Sequence, residues 1–296
     1  MSAAVVARRR PRFFGAVSGE MLKISRQLSF WLMLAGALVL YVVIALAIGS
    51  AESVKSQVKT DPVAFAYTAV DVFGTIFQIG SGIFLLIVGS RLFGMEYSSG
   101  TIRIAYARGM GRLHLLFAKM LTLAVVGVVL LAAYAVLSGA LLLLLVNAWT
   151  GKTDAITGLP ADFWRDLALW AMVQGISMGV AILLAAAAAS LGRSLSFAMA
   201  ASLAFFPVDN FAPVLLFLGS RITGKDHPWL DITQYLLGPN LNVLLNHIEP
   251  DHKAHAVFSG PLLPVDATHA LVVIGCFAAF FAAVAVIRSS RPDVLE

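Results

Sequence analysis

Five apolar runs dominate the chain, at residues 30–49, 72–90, 120–146, 167–191 and 267–287. Each is long enough to cross a bilayer, because about 20 helical residues rising about 1.5 Å each span a hydrocarbon layer of about 30 Å. Inside that layer every backbone N–H and C=O must be paired within its own segment, so each run is expected to be a helix. The fold class that follows is an all-α integral membrane protein. The composition agrees: 59% of residues are apolar, 12% are charged and the mean hydropathy is +0.88, whereas a soluble domain carries about twice that charged share.

A sixth stretch, 197–218, is long and apolar but contains Pro207, Asp209, Asn210 and Pro213. Proline removes a helix donor and kinks the backbone, so a span with a bent or broken outer half is expected there. Six spans put both termini on one side, and charge chooses the side. Of the 21 Lys and Arg residues, fourteen lie in the tails and in the loops after the second and fourth spans, against four of the 16 Asp and Glu residues. Cytoplasmic loops carry the excess of basic residues, so both termini are expected in the cytoplasm and the location at a plasma or inner membrane. The net charge of +5 is then explained by topology and anionic lipid headgroups, and no nucleic-acid partner is needed. The first run starts too late and is too long for a typical signal peptide, and it is read as a retained span despite the small residues at 47–50. Cys276 is the only cysteine, which excludes an internal disulfide and a thiolate metal cluster.

One membrane domain therefore covers 1–296, with a cytoplasmic tail and interfacial helix over 1–29, the six-span bundle over 30–287 and a second tail over 288–296. In the interfacial segment Phe13, Phe14, Val17, Met21, Ile24 and Leu28 recur at helical spacing, while Glu20, Lys23, Arg26 and Gln27 fall mostly elsewhere. That pattern suits a helix lying in the membrane surface. Outer loops are expected over 50–71 and 147–164. The long outer segment 219–266 contains Ile232, Tyr235, Leu236, Leu241, Leu244 and Leu245 as an apolar stripe, expected to rest on the membrane or cap the bundle.

The loop between the second and third spans has the strongest local signals. Ser98 or Ser99 suits a helix start, and Gly109 suits the left-handed position after a helix end, with Arg108 against the negative end of the dipole. A helix over 100–108 is the expectation. Tied at both ends to spans, it suits a mechanical contact with a partner; a plain basic loop satisfying the charge rule is the alternative.

The run Glu96-x-x-x-Gly100-Thr101-Ile102-Arg103, then Ala107-Arg108-Gly109-x-Gly111-Arg112 and Ala118-Lys119, resembles the second-to-third-span signature of type-2 ABC transporter permeases. Matching residues are confined to 96–119, while the order of parts matches over nearly the whole chain. Many family members have a proline-containing turn where this chain has Arg108-Gly109-Met110-Gly111. The resemblance implies a coupling helix between spans 2 and 3, with Glu96, Gly100, Thr101, Arg103, Arg108 and Arg112 contacting an ABC ATPase subunit or setting that helix. It also implies a second permease chain, identical or homologous, and ATP with Mg²⁺ bound on the partner. No cofactor is expected in this chain, which has no G-x-x-x-x-G-K-[ST] phosphate loop. The chain is thus expected to be a non-enzymatic subunit of an ATP-hydrolysing exporter, with nearly uncharged spans favouring an amphiphilic or hydrophobic cargo.

Other constellations carry less. Asp209 and Asn210 are candidates for a substrate path, since ionisable residues in spans are functional by default; a structural role at the outer boundary is the alternative. His252 and His255 have helical spacing for a metal, but there is no H-E-x-x-H and no metal site is assigned. Ser81, Ser138 and Ser177 show no spacing that pairs them with His269 as a base, so no catalytic residue is expected. Gly80, Gly82, Gly127, Ser138, Gly139, Gly175 and Gly179 are read as small residues that let helices approach. A secondary transporter is the remaining alternative, although the spans lack paired charges.

Overall fold

The computed structural model of the chain describes residues 12–246 and 260–291. Among them there are helices and no strands. In order these are α1 (Phe13–Ser25), α2 (Leu28–Gly49), α3 (Glu52–Thr60), α4 (Pro62–Ser98), α5 (Thr101–Ala107), α6 (Arg112–Thr150), α7 (Asp154–Thr157), α8 (Ala161–Gly192), α9 (Leu195–Thr223), α10 (Trp229–Ile232), α11 (Leu237–Asn246) and α12 (Ala267–Ser290). Six of them, α2, α4, α6, α8, α9 and α12, are long and apolar enough to cross a membrane. The all-α membrane architecture expected from the apolar runs is therefore present.

The spans overrun their apolar cores. α4 has 37 residues and α6 has 39, so each is about 55–60 Å long at about 1.5 Å per residue, well beyond a hydrocarbon layer of about 30 Å. Hydropathy reads only the part of a helix that faces lipid. Beyond it, α4 continues through Arg91, Glu96 and Tyr97. The loop expected over 50–71 is likewise mostly helical, holding α3 and the first turns of α4. There Asp61 caps α4 by accepting the Ala64 N–H at 3.0 Å, with Pro62 at the first helical position.

α8 is the centre of the bundle, packing on α4, α6, α9, α11 and α12. Its run Ala185–Ala189 is buried throughout. Small side chains permit close approach where lipid supplies no hydrophobic drive between helices. At Gly89 of α4, an added Cβ would lie 2.9 Å from Ala185 Cβ. Of the small residues the sequence suggested, Gly127 is also at a close contact, where a Cβ would lie 3.4 Å from Met178 Sδ. A Cβ at Gly80, Gly139, Gly175 or Gly179 would meet nothing within 4 Å.

α9 runs unbroken through Pro207 and Pro213, so of the bent or broken outer half expected there the break is absent. A spanning segment has no water to take released carbonyls, so prolines persist where neighbouring groups support the turn. Asn210 Nδ2 donates to Phe206 O at 2.9 Å between the two prolines. Past α9, α11 packs on the bundle. Leu237, Leu241 and Leu244 of α11 are buried against Val173 and Val180 of α8 and Ala270 and Ile274 of α12. His252 and His255 lie outside the described residues; among those described, no three metal-binding side chains meet.

Candidate functional site

α5 is set by backbone geometry at both ends. Gly100, with φ of 69°, turns the chain from α4 into α5 in a conformation that suits glycine. At the other end Gly109 has φ of 86°. Its N–H donates to Tyr106 O at 2.9 Å and that of Met110 to Ala105 O at 3.2 Å. Those two bonds form a Schellman motif, so the left-handed role expected of Gly109 is realised. The serine caps are not. Ser99 Oγ donates back to Met95 O at 2.7 Å, and Ser98 Oγ accepts the N–H of Leu195 at the start of α9.

The helix has one buried side chain, two that are half-buried (Ala105 and Tyr106) and the rest exposed. Ile102 is buried, whereas Thr101, Arg103 and Arg108 are exposed and Ile104 is 54% exposed. Arg112 is placed differently. Its guanidinium lies 5.4 Å from the Tyr106 ring centroid and donates to Ser290 O at 3.3 Å and to Arg291 O. It therefore ties α6 to the last carbonyls of α12, where a cation is favoured. Burial and the nearby Tyr97 push the Tyr106 hydroxyl up to about 12, with Arg112 acting against them.

Glu96 points inward, into a cluster that sequence reasoning missed. Lys119 Nζ lies 3.1 Å from Glu96 Oε2 and 3.1 Å from Glu20 Oε2, and donates to Leu92 O at 2.6 Å. Lys23 Nζ lies 2.7 Å from Glu20 Oε1 and 2.6 Å from Glu96 Oε1. Glu96 Oε2 has no aligned hydrogen bond, so Lys119 holds it by charge. Glu20 and Lys119 are 4% and 3% exposed, which places Glu20, read from the sequence as polar-face, among the most buried residues of α1. Conversely Phe14, read as apolar-face, is 77% exposed. Burial works against the charge on Lys23, but hydrogen bonds and attraction from Glu20 and Glu96 outweigh it and raise its pKa.

At the opposite end of the bundle Asp209 is buried and accepts the N–H groups of Leu237, at 3.2 Å, and Gly238. A carboxylate on the first N–H groups of α11 satisfies donors that a helix leaves open. Asn210 accepts from Asn242 Nδ2 at 3.3 Å, and Asn242 Oδ1 accepts from Gln78 at 3.3 Å. Asp209 and Asn210 thus dock α11 onto α9. Asp166 is buried and accepts from Tyr67 at 2.9 Å, tying α8 to α4. Ser138 is bonded to Tyr41 at 2.7 Å, and His269 meets Gln234 O at 2.9 Å, so neither joins a nucleophile–base pair.

Six spans, with a short helix at the junction of the second and third and α11 docked at the opposite end, define a multi-pass membrane protein. The family model described as ABC-2 family transporter protein matches residues 16–209, from α1 through the first half of α9, and the chain belongs to that family. It is the transmembrane permease type of subunit. No curated protein matches the chain.

Proposed function

We propose that this chain is the membrane half of an ATP-driven exporter, worked by separate ATPase subunits that dock on α5 and bind ATP and Mg²⁺. The observation that carries this reading is the presentation of α5. Ile102 fixes it to the bundle, Thr101, Arg103, Ile104 and Arg108 are exposed, and α4 ends and α6 starts within a few residues of its two ends. A force on those side chains is transmitted to two spans at once. The α5 end faces the cytoplasm of a plasma or inner membrane, in keeping with its excess of Lys and Arg. A second permease chain, identical or homologous, completes the pathway, since six spans are half of the usual complement. The cargo is amphiphilic or hydrophobic, which the weakly charged spans favour, and it moves outward.

The test pairs the purified chain with its candidate ATPase. Arg103→Glu with Arg108→Glu is expected to weaken ATPase capture by at least about tenfold, on the order of 1.4 kcal/mol, with the thermal midpoint of the permease unchanged. Unchanged capture overturns the docking assignment. In proteoliposomes, movement of a fluorescent phospholipid that needs no ATP and follows an ion gradient overturns the pump reading in favour of a secondary transporter.

A further inference from the structure

We propose that Glu20, Lys23, Glu96 and Lys119 form a closed ionic ring that locks α1 to α4 and α6, making α1 a working part of the lever that α5 drives. The proposal rests on the docking reading above and goes beyond it by assigning positioning residues outside α5.

The geometry of the ring is specific. Each carboxylate gives one oxygen to each lysine: Glu20 Oε1 to Lys23 and Oε2 to Lys119, Glu96 Oε1 to Lys23 and Oε2 to Lys119. Charges alternate around it and sum to zero. Three helices contribute, since Glu20 and Lys23 are on α1, Glu96 is on α4 and Lys119 is on α6. Lys119 adds a fourth restraint by donating to Leu92 O, also on α4. Glu96 sits on the last turn of α4 before α5, and Lys119 on the second turn of α6 after it.

Separating buried opposite charges leaves an uncompensated charge and is strongly unfavourable, although such a ring is weak evidence for net stability because apolar replacements often fold as well. The expense of opening the ring is what matters for motion. When a partner displaces α5, the ends of α4 and α6 either move with α1 as one body or break both contacts that hold it, Lys23–Glu96 and Lys119–Glu20. Thr122 Oγ1 already lies 3.5 Å from Val17 O one turn beyond the ring, so α1 and α6 stay in register past it.

The experiment uses the full chain assembled with its ATPase in nanodiscs. An environment-sensitive fluorophore on Lys152→Cys, in a Cys276→Ser background, reports at the end opposite α5. The signal is the emission change on trapping with ATP and vanadate, which needs no cargo. Glu20→Gln or Lys119→Met is expected to keep ATPase capture and hydrolysis while the emission change falls at least about fivefold. A full emission change overturns the lock, and so does a fall in hydrolysis in the same proportion.

Because the charges form a ring, inverting Glu96 and Lys119 alone sets like charges side by side at both remaining contacts. It is expected to fail, whereas the fourfold inversion E20K/K23E/E96K/K119E restores the signal. If the single variants do not fold, a thiol crosslink between Val17→Cys and Thr122→Cys decides, formed before Lys152→Cys is labelled, in the Cys276→Ser background with the four ring residues natural. Retained emission change supports α1 and α6 moving together; loss of it means that they must slide, and overturns the proposal. Failure of the docking reading looks different, since the natural chain then captures no ATPase.

Discussion

Ser98 Oγ accepts the backbone N–H of Leu195 at 2.9 Å, which fastens the foot of α5 to the first residue of α9. One turn earlier, a Cβ on Gly94 would lie 2.8 Å from Leu195 Cα. The end of α4 and the start of α9 therefore touch backbone to backbone at the site where a partner is proposed to press. Motion of α5 thus has a direct route into α9, in addition to the two spans it joins.

Gly94→Val should be the more damaging change at this contact. Its side chain meets backbone atoms that cannot rotate away, and overpacking of this kind costs about 1–3 kcal/mol. Ser98→Ala removes one helix cap and costs about 1 kcal/mol. Thermal unfolding of the detergent-solubilised chain checks the order; a Gly94→Val midpoint equal to or above that of Ser98→Ala would contradict the contact.

Asp209→Ala should loosen α11. The carboxylate is the acceptor for the Leu237 and Gly238 N–H groups, and a buried donor left without its partner costs about 1–3 kcal/mol. Hydrogen exchange read by mass spectrometry should speed up over 237–246 while α4 and α8 exchange as before. Unaltered protection in α11 would show that its buried leucines hold it without Asp209.

Gln174 is 1% exposed, and neither its Oε1 nor its Nε2 has a hydrogen-bond partner. Gln174→Leu replaces a desolvated amide by an apolar group of similar size and should raise stability by about 1–3 kcal/mol. The expected readout is a higher unfolding midpoint. A lower one would mean that the amide is satisfied in the native membrane, by water or a neighbour.

His227 gives a pH-dependent signal outside the spans. Its contact with Asp231 and that carboxylate's field raise its pKa above the ordinary value of 6.5, with desolvation acting slightly against them. The charged form is thus favoured in the folded chain. The contact contributes fully below pH 6.5 and is lost as the pH rises through the folded-state value. An NMR titration of His227 should show a midpoint above 6.5 that returns toward 6.5 in Asp231→Asn. Equal midpoints in the two proteins would exclude the pair.

Much of the architecture is legible in the residue string because it depends on composition and on local geometry. Twenty apolar residues in a row can only be a helix in lipid, so six spans follow, and the overrun of α4 past residue 90 escapes because Arg91 and Glu96 end the apolar run without ending the helix. Gly109 could be placed in advance, since a left-handed cap involves neighbours within five residues. Neither the unbroken course of α9 nor the docking of α11 on Asp209 is written locally, because both depend on what lies beside the prolines and the carboxylate.

The amino-acid order by itself determined the spans, their number and the segment that joins the second and third. Only the tertiary structure decided which polar residues would be sealed inside. Glu20 and Lys119 stand 99 residues apart and meet at 3.1 Å, and each reads alone as an ordinary charge near a headgroup. Their partnership depends on the rotation of α1 and α6 about their own axes, which is set by packing around the whole bundle and has no local signature in sequence.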